Sequence, residues 1–148
     1  MNFKLKMAGV FAGLAGVVAL TSAISTENVP LEVGNQAPEI SAVNADGNTI
    51  HLSDLKGEEV IVNFWSAKDA ESRISNVRLA REAESRGANY VGICVDCDQE
   101  LAREVIKSDR LQAENQFFAN EQIKKEYQLS QGTRTVKIDP YGIVAKID

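Results

Sequence analysis

Two short apolar runs with a helix-length segment between them constrain the fold more than anything else in this chain. Glu59–Trp65 reads as a strand with an apolar centre, and Tyr90–Val95, YVGICV, reads as another. A near-continuous apolar run suits a strand covered on both faces. Between them Asp69–Arg86 is helical in pattern, with Ile74, Val77, Ala80 and Ala83 or Glu84 on the inward spacing. Asp69 is a natural N-cap, Glu71 suits the first turn, and Gly87 ends the helix.

The rest of the chain extends that unit. Ile40–Val43 and Thr49–Leu52 flank an Asp46-Gly47 turn and read as a hairpin. Ser53–Gly57 reads as a turn with one helical turn capped by Ser53. A second helix is expected over Asp98 to about Ala113, with Leu101, Val105 and Ile106 inward. A short strand at Gln116–Ala119 and a short helix at Glu121–Tyr127 follow. Thr133–Ile138 and Ile143–Ile147 close the chain as strands joined by Asp139-Pro140-Tyr141-Gly142, a turn sequence with a mechanism. Alternating strands and helices with hairpins at both ends predict an α/β domain with a central mixed sheet between helices.

The N-terminus reads differently. Lys4 and Lys6 precede the apolar run Met7–Leu20, and Thr21-Ser22-Ala23 supplies a small-x-small site. That order is the pattern of a secretory signal peptide over residues 1–24, with an uncleaved membrane anchor as the alternative. Residues 25–32 read as a linker and 33–148 as one domain. The chain carries a formal charge of −5; Lys4 and Lys6 are the only charges in residues 1–23, so the remainder carries −7. An acidic domain without a basic run is a poor match for nucleic acid or an anionic membrane surface. The expectation is an exported protein of the periplasm or cell envelope, touching the membrane only through an uncleaved leader.

The ordered motifs resemble a known family. Val33-Gly34-x-x-Ala37-Pro38, then Asp46-Gly47 with Ile50-x-Leu52-Ser53-Asp54-Leu55-Lys56-Gly57, then Val60–Trp65, then Lys137-Ile138-Asp139-x-x-Gly142 together resemble the exported thioredoxin-like proteins of the redoxin superfamily. These are the thiol–disulfide oxidoreductases of the bacterial cell envelope. The resemblance implies a thioredoxin-like fold with an N-terminal β-hairpin. It also implies a Cys-x-x-Cys pair just after Phe64-Trp65, a cis-proline facing it, and a closing helix. By matching position, Asp69 stands where the family has its nucleophilic cysteine, Ser72 where it has the resolving one, and Thr133 where it has the cis-proline. Only Arg73 matches. The chain also runs out before a closing helix, so a sheet face is expected to be open to a partner or a second copy.

A carboxylate cannot form a mixed disulfide, so neither exchange nor peroxidase chemistry is expected at Asp69–Ser72. The two cysteines, Cys94 and Cys97, lie instead at the end of the second core strand, in Cys94-Val95-Asp96-Cys97. Three readings stay open. Cys94 packs as a small apolar residue beside a semi-exposed Cys97; the two form a relocated redox pair; or they ligate a metal. Extended backbone would hold their Cα atoms about 10 Å apart, beyond the roughly 7 Å a disulfide tolerates. A helix N-terminus at Cys97 favours a thiolate, while Asp96 and Asp98 oppose it. His51 is the sole histidine, so no zinc set is complete. Arg73 and Arg134 are the candidate anion binders of the vacated pocket. No metal or cofactor is expected. The favoured expectation is a redox-degenerate binding or accessory module, not an enzyme, that holds another envelope protein. The alternative is a thiol–disulfide oxidoreductase using Cys97 with Cys94.

Overall fold

In the computed structural model, which describes residues 29–148, an irregular segment leads into an antiparallel hairpin of β1 (Ser41–Val43) and β2 (Thr49–His51). The leader and residues 25–28 lie outside the described residues. Leu31, which the sequence reading places in the linker, is 6% exposed and packs in the core. The Asn44 side chain sets the hairpin turn by accepting from Asp46 N (3.0 Å) and Asn48 N (2.9 Å), with Gly47 at φ 85°. A 3₁₀ turn over Leu52–Leu55 follows. Ser53 does not cap it as expected; its N–H donates to Glu39 Oε1 at 3.0 Å instead.

The main sheet contains β3 (Val60–Trp65), β4 (Asn89–Cys94), β5 (Gln116–Phe118), β6 (Arg134–Ile138) and β7 (Val144–Ile147), in the order β5-β4-β3-β6-β7. β3, β4 and β5 are parallel, β6 runs antiparallel to β3, and β7 runs antiparallel to β6. Every residue of β3 is buried, as its apolar run requires. Val60, Val62 and Phe64 face a core shared with the N-terminal segment and α3 (Glu121–Glu126), where Phe64 and Tyr127 stack at 4.9 Å. Ile61 and Trp65 face the other layer, built by α1 (Ala70–Arg86) and α2 (Gln99–Ser108).

The rotation of α1 differs from the expected one. Ser72, Asn76, Leu79 and Ala83 point inward, while Ile74 is 69% exposed. Both stripes have helical spacing; a buried polar network selects the observed one. Asn76 is fully buried, accepts from Asn63 Nδ2 at 3.3 Å and donates to Gln116 Oε1 at 3.2 Å. The Tyr90 hydroxyl donates to the same Asn76 oxygen, and Thr135 Oγ1 donates to Asn63 Oδ1 at 3.0 Å. Burial pushes the Tyr90 phenol well above its ordinary pKa, so it remains a neutral donor. Gly92 makes room for Gln116, because a Cβ there would meet Gln116 Oε1 at 2.5 Å.

Helix α2 stops at Ser108 rather than near Ala113. Arg110 takes φ 56°, and Leu111 N returns to Ile106 O at 2.9 Å, a left-handed closure usually signalled by glycine. The α1 side of β6 and β7 carries Thr135, Lys137 and Lys146, and Lys137 pairs with Glu82 of α1 at 3.0 Å. That face is polar and partly exposed. Among the described residues no helix is long and apolar enough to cross a membrane.

Candidate active site

β3 and β4 end together, with Trp65 beside Cys94 in register and Val95 N donating to Trp65 O at 2.9 Å. β5 ends at the same edge, where Ala119 N donates to Cys94 O at 3.0 Å. In parallel α/β sheets this carboxyl edge is where ligands and reacting groups gather.

Beyond Cys94 the chain does not stay extended. Asp98 caps α2 by accepting from Leu101 N at 2.7 Å, so the backbone must turn from strand to helix within a few residues. The Asp96 carboxylate is drawn toward the β3–α1 loop, accepting from Ala67 N at 2.9 Å and from Ser66 Oγ. The turn brings the Cys94 and Cys97 Cα atoms to 5.7 Å, and the two sulfurs are bonded. Among the described residues there is no free cysteine. Of the three open readings, the bond differs from that of a packed Cys94 beside a separate, semi-exposed Cys97. The extended-backbone distance did not apply because the cap and the Asp96 contacts bend the segment. The Cys-x-x-Cys pair missing from Asp69–Ser72 is present here instead.

The two sulfurs differ in access. Cys94 is 2% exposed, packed with Trp65, Ala67 and Val105, whereas Cys97 lies at the rim with Leu101. Cys94, Asp96 and Cys97 also bring three ligand atoms within 4.8 Å of one another. Paired sulfurs are not thiolates, and thiolate is the metal-binding form.

The residues at the family's usual positions have structural roles. Asp69 caps α1, accepting from Glu71 N at 3.1 Å. Asp69→Ala is expected to lower stability by about 1 kcal/mol, read by denaturant unfolding. The buried Ser72 hydroxyl accepts from Ser66 N at 2.8 Å. Thr133 is exposed and joined by trans peptides, one residue beyond the Phe64–Arg134 register pair. Arg73 is paired within the chain. It forks onto Asp109 (Nε–Oδ2 3.0 Å) and reaches Ser108 Oγ at 3.1 Å, and the Asp109 hydrogen bond holds its pKa above the ordinary value. Arg134 donates to Tyr127 O at 3.4 Å. Ser66 and the linking role of Asp96 were not foreseen; the available signal was a carboxylate between two cysteines just ahead of a helix cap.

A family model described as the AhpC/TSA family matches residues 33–147. The chain belongs to the AhpC/TSA family. The thiol-disulfide oxidoreductase ResA of Oceanobacillus iheyensis is 25% identical over 140 residues, covering 90% of this chain and 73% of that one. A Mycobacterium tuberculosis protein named for peroxiredoxin is 32% identical over 81 residues, 52% of each chain. Among solved structures, the thioredoxin domain of a thiol-disulfide oxidoreductase from Bacteroides vulgatus superposes with a TM-score of 0.70 at 23% identity, covering 80% of this chain and 89% of that one. That likeness shows the thioredoxin-like fold. An apolar cavity of about 300 Å³, lined by Pro38, Leu52, Leu55, Val60 and Ile138 among others, lies at the opposite edge of the sheet from the cysteines.

Proposed function

We propose that this AhpC/TSA-family protein is an exported thiol–disulfide oxidoreductase whose redox pair has moved to Cys94 and Cys97. The observation that carries the reading is the Cys94–Cys97 bond at the sheet's carboxyl edge, with one sulfur buried and the other at the rim. Cys97 is the attacking residue. As thiolate it attacks one sulfur of a substrate disulfide, forms a Cys97–substrate mixed disulfide and expels the other substrate sulfur as a thiolate. Cys94 then attacks Cys97 Sγ, closes the Cys94–Cys97 bond and releases the second substrate thiol. The substrate gains two electrons and the pair loses two. The reverse sequence oxidises a dithiol. No cofactor is needed; the electrons come from the dithiol of a second protein, or go to its disulfide.

The bond closes a ring with a sequence separation of only 3. Chain-entropy arguments give such a ring about 2 kcal/mol, so the domain stays folded with the bond open. Trp65, the chain's single tryptophan, packs against Cys94 and reports the state of the pair. Reduction by dithiothreitol is expected to raise Trp65 emission, because a disulfide quenches a neighbouring indole, and oxidised glutathione is expected to reverse the change. An emission unaltered by complete reduction would count against this arrangement of the pair.

The second reading, a redox-inactive module that holds another envelope protein, is favoured by the absence of sulfur between Asp69 and Ser72. It requires the Cys94–Cys97 bond to act as a permanent staple. The signal-peptide pattern of residues 1–24 supports export under either reading.

A further inference from the structure

The carboxylate between the two cysteines is tied to both of the loops that meet at the pair. Asp96 Oδ1 lies 3.5 Å from Cys94 Sγ and accepts from Ala67 N at 2.9 Å; Oδ2 accepts from Ser66 Oγ. Ser66 is fixed in turn by its N–H, which donates 2.8 Å to Ser72 Oγ, and by Lys68 N, which donates to Ser66 Oγ at 3.3 Å. A bonded Cys94 has no proton to share, so its contact with Asp96 has no hydrogen-bonding use in the closed state. Once the pair is reduced, the buried Cys94 thiol can donate to Asp96. We propose that Asp96 is a catalytic residue that takes the Cys94 proton, and that the β3–α1 loop, emptied of cysteine, now serves to hold it.

This inference rests on the thiol–disulfide reading above and assigns one step of it. In the mixed disulfide, Asp96 accepts the Cys94 proton as Cys94 attacks Cys97 Sγ. The Cys97–substrate bond breaks, and Asp96 returns the proton to the departing substrate thiolate. The carboxylate ends as it began. A thiol with an ordinary pKa near 8.5 is only a few per cent thiolate at pH 7, and a buried one without a proton acceptor is less so. The charged side chains around Asp96 on the flanking elements are Lys68 and Asp69 on the loop and Asp98 and Glu100 at the start of α2, all exposed. None of them bonds to Asp96, which leaves it as the acceptor for Cys94.

The test follows both steps by acid quench and mass spectrometry after reduced protein meets oxidised glutathione. Asp96→Asn keeps an oxygen for Ala67 N but cannot take a proton. It is expected to leave formation of the Cys97–glutathione adduct within about threefold of wild type. It should slow closure by Cys94 roughly 100-fold at pH 7, the scale of general acid–base catalysis. Its closure rate should then rise about tenfold per pH unit toward the thiol range, whereas the wild-type profile is flatter. Asp96→Glu should restore part of the rate. Ser66→Ala, which keeps the carboxylate but removes one holder, should slow closure about tenfold and is the deciding variant should Asp96→Asn not fold. Closure by Asp96→Asn, or by Ser66→Ala in its place, at the wild-type rate and with the wild-type pH profile overturns the proposal alone. Equal slowing of both steps also overturns it, by reducing Asp96 to a shaping role. A wild type that never forms the Cys97 adduct overturns both this proposal and the reading beneath it.

Discussion

Cys97→Ser is expected to abolish thiol–disulfide exchange, by about 1000-fold or more, the scale seen when a nucleophile is removed. Cys94→Ser is expected to do something different. It should keep the first step and then stall, trapping a mixed disulfide between Cys97 and the substrate. The asymmetry follows from burial. Cys94 sits beneath Trp65 and Val105 at 2% exposure, out of reach of a folded substrate, while Cys97 lies at the rim just ahead of α2. The positive end of that helix favours a thiolate at Cys97. Asp98 spends its carboxylate as the cap, on Leu101 N. Trapping with a peptide disulfide, followed by mass spectrometry, distinguishes the two variants. Adduct formation through Cys94 in the Cys97→Ser protein would reverse the assigned roles.

Asn76→Leu is expected to destabilise the domain by about 3–5 kcal/mol. Leucine approximates the volume but removes the hub of the network under α1. Asn63 Nδ2 and Gln116 Oε1 would each lose a partner, and Tyr90 would keep only its 3.3 Å contact to the Asn76 carbonyl. Each stranded buried polar group costs about 1–3 kcal/mol. For a domain of this size that is a fall in Tm of roughly 12–20 °C. Ile74→Asp is the control. Although apolar spacing alone would bury Ile74, it is exposed, and its replacement should stay within about 0.5 kcal/mol. A large loss at Ile74 with little at Asn76 would mean that α1 is rotated toward the apolar stripe.

These two positions show what could be read from the sequence. The order of elements was legible because β3 and β4 carry apolar runs too short for helices, and because Asp139–Gly142 and Asp46-Gly47 are turn sequences with a backbone reason. The face of α1 was not. Asparagine reads as solvent-facing, and its burial depends on Asn63, Gln116 and Tyr90, which only the tertiary fold brings together. The end of α2 was missed because arginine holds the left-handed position where glycine is the usual signal. Leu31 was assigned to a linker because its neighbours are polar, and its burial comes from contacts distant in sequence.

The candidate site divides in the same way. That Asp69 and Ser72 carry no sulfur was legible, and each has a local structural task. The presence of both cysteines at the sheet edge was legible too. Their bond was not, because it depends on how sharply the chain turns after Cys94. That turn is set by two carboxylates with separate partners: Asp98 on the helix and Asp96 on the neighbouring loop. Capping preference alone flags Asp98. The place of Asp96 between two cysteines is visible locally, but its partners Ser66 and Ala67 lie about 30 residues away in the chain.

The most direct test of the account is a count of free thiols on the purified protein, by alkylation and mass spectrometry across a glutathione redox titration. The account predicts that Cys94 and Cys97 interconvert as a unit between dithiol and disulfide at roughly −180 to −270 mV, the range of exchange proteins. A pair still bonded below about −300 mV would be a structural staple, and thiols that stayed free throughout would remove the bond itself; either result would contradict a relocated redox site.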